Sequence, residues 1–171
     1  MRRIIAIGIG AGVFFAAMYW LLRRNQFQRN AKQEFFRMLL GAWLAFLCAP
    51  AFLVDNGYHE TNLTPFRMIA MYGRVLQAGN IRYFIVNLIG NVFIFAPIGF
   101  LLPCCSKKRG FWRTIGIGFG ISLSIELIQL ALPRCSDVDD LLLNTLGTAL
   151  GYGLYILVNI LRKGKLNYEG N

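Results

Sequence analysis

Apolar residues dominate five stretches of this chain, at positions 4–22, 36–54, 83–102, 115–132 and 141–161. Each approaches the roughly 20 residues that a helix needs to cross the hydrocarbon core of a bilayer. The pattern predicts an all-α, polytopic membrane helix bundle with about five transmembrane helices. The first run has the basic start of a signal peptide. It is longer than the usual apolar region of about 7–15 residues, however, and Arg23 and Arg24 follow it without a clean small-residue cleavage site. We read it as a retained span. Pro50 sits near the end of the second run, where a broken helix is tolerated. The five runs take up more than half of the 171 residues, so residues 1–171 read as a single membrane domain with no room for a separate soluble one.

Composition supports this pattern. Apolar residues make up 56% of the chain and charged residues only 15%, against about 25% charged in an ordinary soluble domain. The net charge of +10, from 18 Lys+Arg and 8 Asp+Glu, would suggest nucleic acid in a soluble domain. Here its placement argues otherwise. Twelve basic residues, among them Arg23, Lys32, Lys107 and Arg162, fall on one side of the expected topology, and six, including Arg67 and Arg134, fall on the other. The imbalance orients the chain with its N-terminus out and its C-terminus in, and basic loops then meet anionic headgroups. The clusters lie at span ends without an aromatic stacking motif, so no nucleic-acid partner is expected. The four cysteines make no metal or redox pattern and read as ordinary membrane cysteines.

Small residues four apart at Gly8 and Gly12, Gly116 and Gly120, and Gly147 and Gly151 allow close helix approach. Bundle packing explains them, and the oligomeric state stays open. The loop from 55 to 82 is the longest piece outside the runs. Residues 65–77 suit a helix starting at Pro65, either lying in the headgroup zone or forming an irregular cap.

The polar residues inside the runs are the candidate chemistry. Glu126 stands among Leu123, Ile125, Leu127 and Leu130, and a charge deep in a span costs at least about 2.5 kcal/mol on insertion scales. In the expected topology it lies roughly 9 Å below Leu132. Ser122, Glu126 and Gln129 share one helix face, as do Asp137, Asp140 and Asn144, and Asn87 and Asn91. These three faces meet at one level, in the outer part of the bundle. Arg134, in the turn between the last two runs, is the nearest cation in sequence. Taken singly, each residue has a structural explanation. Asp137 can cap the last helix, Asp139 and Asp140 can favour its dipole, and the asparagines can bond across helices. These explanations leave Glu126 unaccounted for, which points to an outward-facing polar pocket.

The same stretches carry a resemblance. NLTPFRMI at 62–69, NLIGNVFIFAPIGFLLP at 87–103, SLSIELIQ at 122–129 and RCSDVDDLLLNTLGTALGY at 134–152 follow one another in the order and spacing of the VanZ-like family of small bacterial membrane proteins. The resemblance covers about 62–161. Thr64 replaces an Ile of the family pattern, and Pro97-Ile98-Gly99 replaces Pro-Leu-Gly. The resemblance implies a protein of the bacterial cytoplasmic membrane associated with lowered teicoplanin susceptibility. It implies no particular chemistry.

Three functions compete. The first is binding or remodelling of an envelope lipid or lipid-linked glycan, or contact with a glycopeptide antibiotic, at Asn87, Asn91, Glu126, Gln129, Arg134, Asp137, Asp140 and Asn144. Arg67 and Arg134 would fork onto a phosphate. The second is an enzyme in which Glu126 and Asp140 divide acid and base roles, or in which Asp137, Asp139 and Asp140 hold Mg²⁺ or Ca²⁺. No nucleophile is evident, and His59 is the only histidine. The third is a transporter, against which the polar groups stop in the outer half. No cofactor is implied.

Overall fold

The stretch joining the first two apolar runs contains neither glycine nor proline, and helix continues through most of it instead of giving way to a loop. The resulting α1 (Arg2–Leu53) is two helices joined at Asn30, whose φ of −141° and ψ of 52° leave the helical region. Gly8 lies against Phe46, Gly12 against Ala42 and Gly41 against Phe15, so the two halves run antiparallel. This computed structural model describes residues 2–53, 61–105, 110–131 and 136–168.

The chain continues through β1 (Thr61–Asn62), α2 (Arg67–Gln77) and α3 (Ile81–Phe84). A π-helical turn at Ile85–Ile89 leads into α4 (Gly90–Cys105). Phe84 and Gly90 on either side of that turn both keep right-handed helical dihedrals, so α3, the turn and α4 form one rod. Then come α5 (Phe111–Ala131), β2 (Ser136–Asp137) and α6 (Val138–Tyr168). The helix at 65–77 starts at Arg67 and not at Pro65, because Phe66 takes the left-handed φ of 64°.

Among the described residues, four helices contain stretches long and apolar enough to cross a membrane: Ile5–Arg24, Asn87–Cys105, Phe111–Leu130 and Val138–Arg162. The second half of α1, covering most of the run at 36–54, packs beside α4, with Trp43 donating its indole N–H to the Ile94 carbonyl at 2.9 Å. Leu127, Leu146, Leu150, Leu154 and Leu157 are each at least half exposed. Such an outer surface suits lipid, where leucine has no reason to hide. The protein is an all-α membrane helix bundle.

α4 and α6 run parallel and meet backbone to backbone. A Cβ added to Gly99 would lie 1.9 Å from the Thr148 carbonyl oxygen. At Gly147 and Gly151 it would lie 2.1 Å and 1.9 Å from the carbonyl oxygens of Val92 and Ala96. Only glycine permits that approach. α5 lies antiparallel to α6, with Gly118 against Thr148 and Phe111 stacked edge-on to Tyr152. Of the predicted small-residue pairs, Gly8 with Gly12 and Gly147 with Gly151 make close contacts. A Cβ added at Gly116 or Gly120 would meet no neighbouring helix within 4 Å among the described residues. Spacing marks a groove but not whether another helix fills it.

A parallel ladder of two residues, Thr61 with Ser136 and Asn62 with Asp137, ties the segment after α1 to the segment before α6. This ladder sits at the end of the bundle that carries the acids. Lys32, Cys104, Asn159 and Arg162 share a groove at the opposite, basic end.

Candidate functional site

The acid-rich end is organised by carboxylates that accept hydrogen bonds from uncharged donors. Asp139 is fully buried. Its Oδ1 accepts from the Phe66 N–H at 2.5 Å, and its Oδ2 from the N–H groups of Met68 at 2.8 Å and Ile69 at 3.1 Å. The first N–H groups of a helix have no partner within it, and together they attract an anion. Asp139 is thus the cap of α2, supplied from another helix, and it holds Phe66 in a backbone conformation that bulky residues rarely adopt. Sequence reasoning assigned Asp139 to the dipole of its own helix or to a metal. Its oxygens are engaged with the backbone of α2 instead.

Asp137 is the local cap of α6. Its Oδ1 accepts from the Asp139 N–H at 2.9 Å and from the Asn62 side-chain amide at 2.9 Å. Asn62 in turn accepts the Thr64 N–H at 3.1 Å. Burial pushes the Asp137 carboxyl above its ordinary range, and the Asp139 carboxylate adds to that rise. The Asp139 N–H, the Asn62 amide and the Arg67 charge pull the other way.

Glu126, 7% exposed, places Oε2 against the Ser136 hydroxyl at 2.8 Å and the Asp137 N–H at 2.9 Å. Asp140 accepts from the Asn91 side-chain amide through Oδ1. Asn144 gives its amide to the Ser122 hydroxyl at 2.9 Å, while its own carbonyl oxygen is buried with no donor. Between these groups lies a cavity of about 160 Å³, open at the surface and lined by Asn91, Glu126, Gln129, Asp140 and Asn144. Leu47, Ile94, Phe95 and Ile125 complete its wall.

Five of the predicted site residues therefore share one cavity. Asn87 lies in the π turn, a feature that often marks functional positions in helices, but it does not line the cavity. Asp137 and Asp139 are turned to the segment above it. Arg67 is exposed at the start of α2, close enough for its charge to act on Asp137. Arg134 and His59 lie outside the described residues. Asp137, Asp139 and Asp140 do not converge on one point, and among the described residues no three acid, histidine or cysteine side chains are grouped to hold a metal. Sequence reasoning missed Ser136 and Asn62, although both stand in the quoted motifs beside the acids they serve. It also missed the apolar lining, which only the packing of α1 on α4 and α5 reveals.

An all-α membrane bundle that seats buried carboxylates and amides around a cavity at one end is the class these features define. The chain belongs to the VanZ/LLP1 family, whose pattern matches residues 13–159, a longer stretch than the motifs mark. It is similar to Protein VanZ of Enterococcus faecium, with 36% identity over 105 residues, covering 60% of this chain and 57% of that one. It is also similar to "Uncharacterized membrane protein YwnJ" of Bacillus subtilis (strain 168), with 33% identity over 85 residues, 49% of this chain and 57% of the other. The chain thus spans little more than half the length of the curated relatives it matches. No solved structure matches it.

Proposed function

We propose that this protein binds or remodels an envelope lipid or lipid-linked glycan at the cavity between α4, α5 and α6, and through it influences teicoplanin susceptibility. In this reading the chain crosses the bacterial cytoplasmic membrane five times, with the N-terminus out and the acid-rich end facing outward. The observation that carries it is the cavity itself. Two carboxylates and three amides line an opening with room for about five waters, which suits one polar part of a headgroup or a sugar. Below it the glycine contacts of α4 with α6 close the bundle, which favours a binding site over a transport path. The exposed Arg67 at the start of α2, near Asp137, supports contact with a lipid phosphate. A second reading, acid–base chemistry on the same ligand, is favoured by the presence of Glu126 and Asp140 in one cavity.

The test pairs two measurements on wild type and Glu126→Gln. Native mass spectrometry reads which envelope lipids stay with the purified protein. Teicoplanin and vancomycin susceptibility is read in a Gram-positive host at matched membrane levels. Wild type is expected to retain lipid and protect, and the variant to do neither. Equal lipid retention by both proteins would refute the cavity as the binding site. Wild type behaving like empty vector would remove the antibiotic part of the reading.

A further inference from the structure

Among the described residues, three carboxyl and amide oxygens at the cavity have no hydrogen-bond donor. Glu126 engages Oε2 with Ser136 and the Asp137 N–H, and its Oε1 makes no hydrogen bond. Asp140 engages Oδ1 with Asn91, and its Oδ2 makes none. The Asn144 carbonyl oxygen is buried and unpartnered in a residue only 7% exposed. A buried acceptor without a donor costs about 1–3 kcal/mol, so a feature of this kind marks a place where something else donates.

We infer that the cavity receives a protonated primary amine, whose three N–H groups go to Glu126, Asp140 and Asn144. This rests on the reading that the cavity is the ligand site, and it narrows the ligand to the amine-bearing part of a lipid headgroup or amino sugar. Three acceptors on two helices match the three donors of an ammonium. Its positive charge offsets carboxylates that have no cationic partner among the described residues. The apolar wall of Leu47, Ile94, Phe95 and Ile125 takes the methylene next to the nitrogen. A phosphate or carboxylate would meet like charge there. A neutral hydroxyl would bring one donor to three acceptors. Among the described residues no three acid, histidine or cysteine side chains are grouped to hold a metal ion, which favours an organic cation over a divalent one.

The experiment uses the full chain in phosphatidylglycerol nanodiscs that contain equal fractions of phosphatidylethanolamine and N-acetyl-phosphatidylethanolamine with the same acyl chains. The two probes differ in the ammonium group. Native mass spectrometry reads the retention ratio. Wild type is expected to retain the free amine by about tenfold or more over its acetylated twin, as loss of hydrogen bonds to charged groups predicts. Asn144→Leu should reduce that ratio several-fold, and Asp140→Asn should bring it close to one. The wild-type ratio needs no variant to fold. A wild-type ratio of one overturns the ammonium assignment. The cavity reading survives that result if Glu126→Gln sheds both lipids, and falls with it if Glu126→Gln keeps both. Displacement of the amine lipid by millimolar MgCl₂, lost in Asp140→Asn, would make this a metal site and equally overturn the assignment.

Discussion

Two glutamates in this protein are almost equally buried, Glu34 at 2% exposure and Glu126 at 7%, yet they are partnered in opposite ways. Glu34 lies at the fold of the α1 hairpin. Arg37 at 2.5 Å and Arg23 at 3.4 Å bring it positive charge, and the Tyr19 hydroxyl donates at 2.7 Å. That hydroxyl bond chiefly, with the charges of Arg23 and Arg37, holds its carboxyl below the usual range against the effect of burial. Glu126, at the acid-rich end, has only a hydroxyl and one backbone N–H. Those donors orient one oxygen, and no cation stands beside the carboxyl among the described residues. The first arrangement closes a hairpin. The second presents a carboxylate to a cavity.

Asp139→Ala leaves the N–H groups of Phe66, Met68 and Ile69 without their acceptor, at about 1–3 kcal/mol each when buried. Unfolding of the detergent-solubilised protein should show a loss of about 3 kcal/mol or more, and a loss under about 1 kcal/mol would contradict the capping role. Ser136→Ala should cost about 2 kcal/mol, because it removes one of two donors to a charged acceptor, whereas Tyr19→Phe should cost about half as much, since Glu34 keeps its arginines. Equal losses in the same unfolding assay would show that the cations contribute nothing extra.

Acid separates the two ends further. The Glu34 carboxyl is held low in the folded protein, so its stabilisation is complete above the unfolded value near pH 4.3. It is lost as the pH falls through the lowered folded value. The stability gap between wild type and Glu34→Gln should therefore shrink on acidification, and a constant gap down to about pH 3 would rule the linkage out. The smallest effect belongs to Arg23→Ala. Its contact is long and its side chain 45% exposed, so a change of no more than about 0.5 kcal/mol is expected.

The bundle was legible because span length and apolar content are properties of the chain in one dimension. Glu126 was legible for the same reason, as a charge standing inside an apolar run. Glu34 escaped notice because it lies among Arg24, Arg29, Lys32 and Arg37, where one acid looks like part of a solvated charged stretch. Its burial depends on the hairpin closing at Asn30, and no glycine or proline marks that bend. The role of Asp139 was hidden more deeply. Its partners are backbone N–H groups 70 to 73 residues away, which no side-chain pattern announces. The spacing of Asp140 and Asn144 correctly placed them on one face, but only the packing shows that an Asn144 oxygen is left without a donor.

The cap on α2 also sets an order of assembly. A ribosome delivers Phe66, Met68 and Ile69 well before it delivers Asp139. Until α6 has been threaded, the start of α2 has no acceptor and Thr61 and Asn62 have no strand to pair with. α6 therefore acts as a latch. A chain halted before α6 leaves this end open, and the cavity takes shape only after α6 has been made.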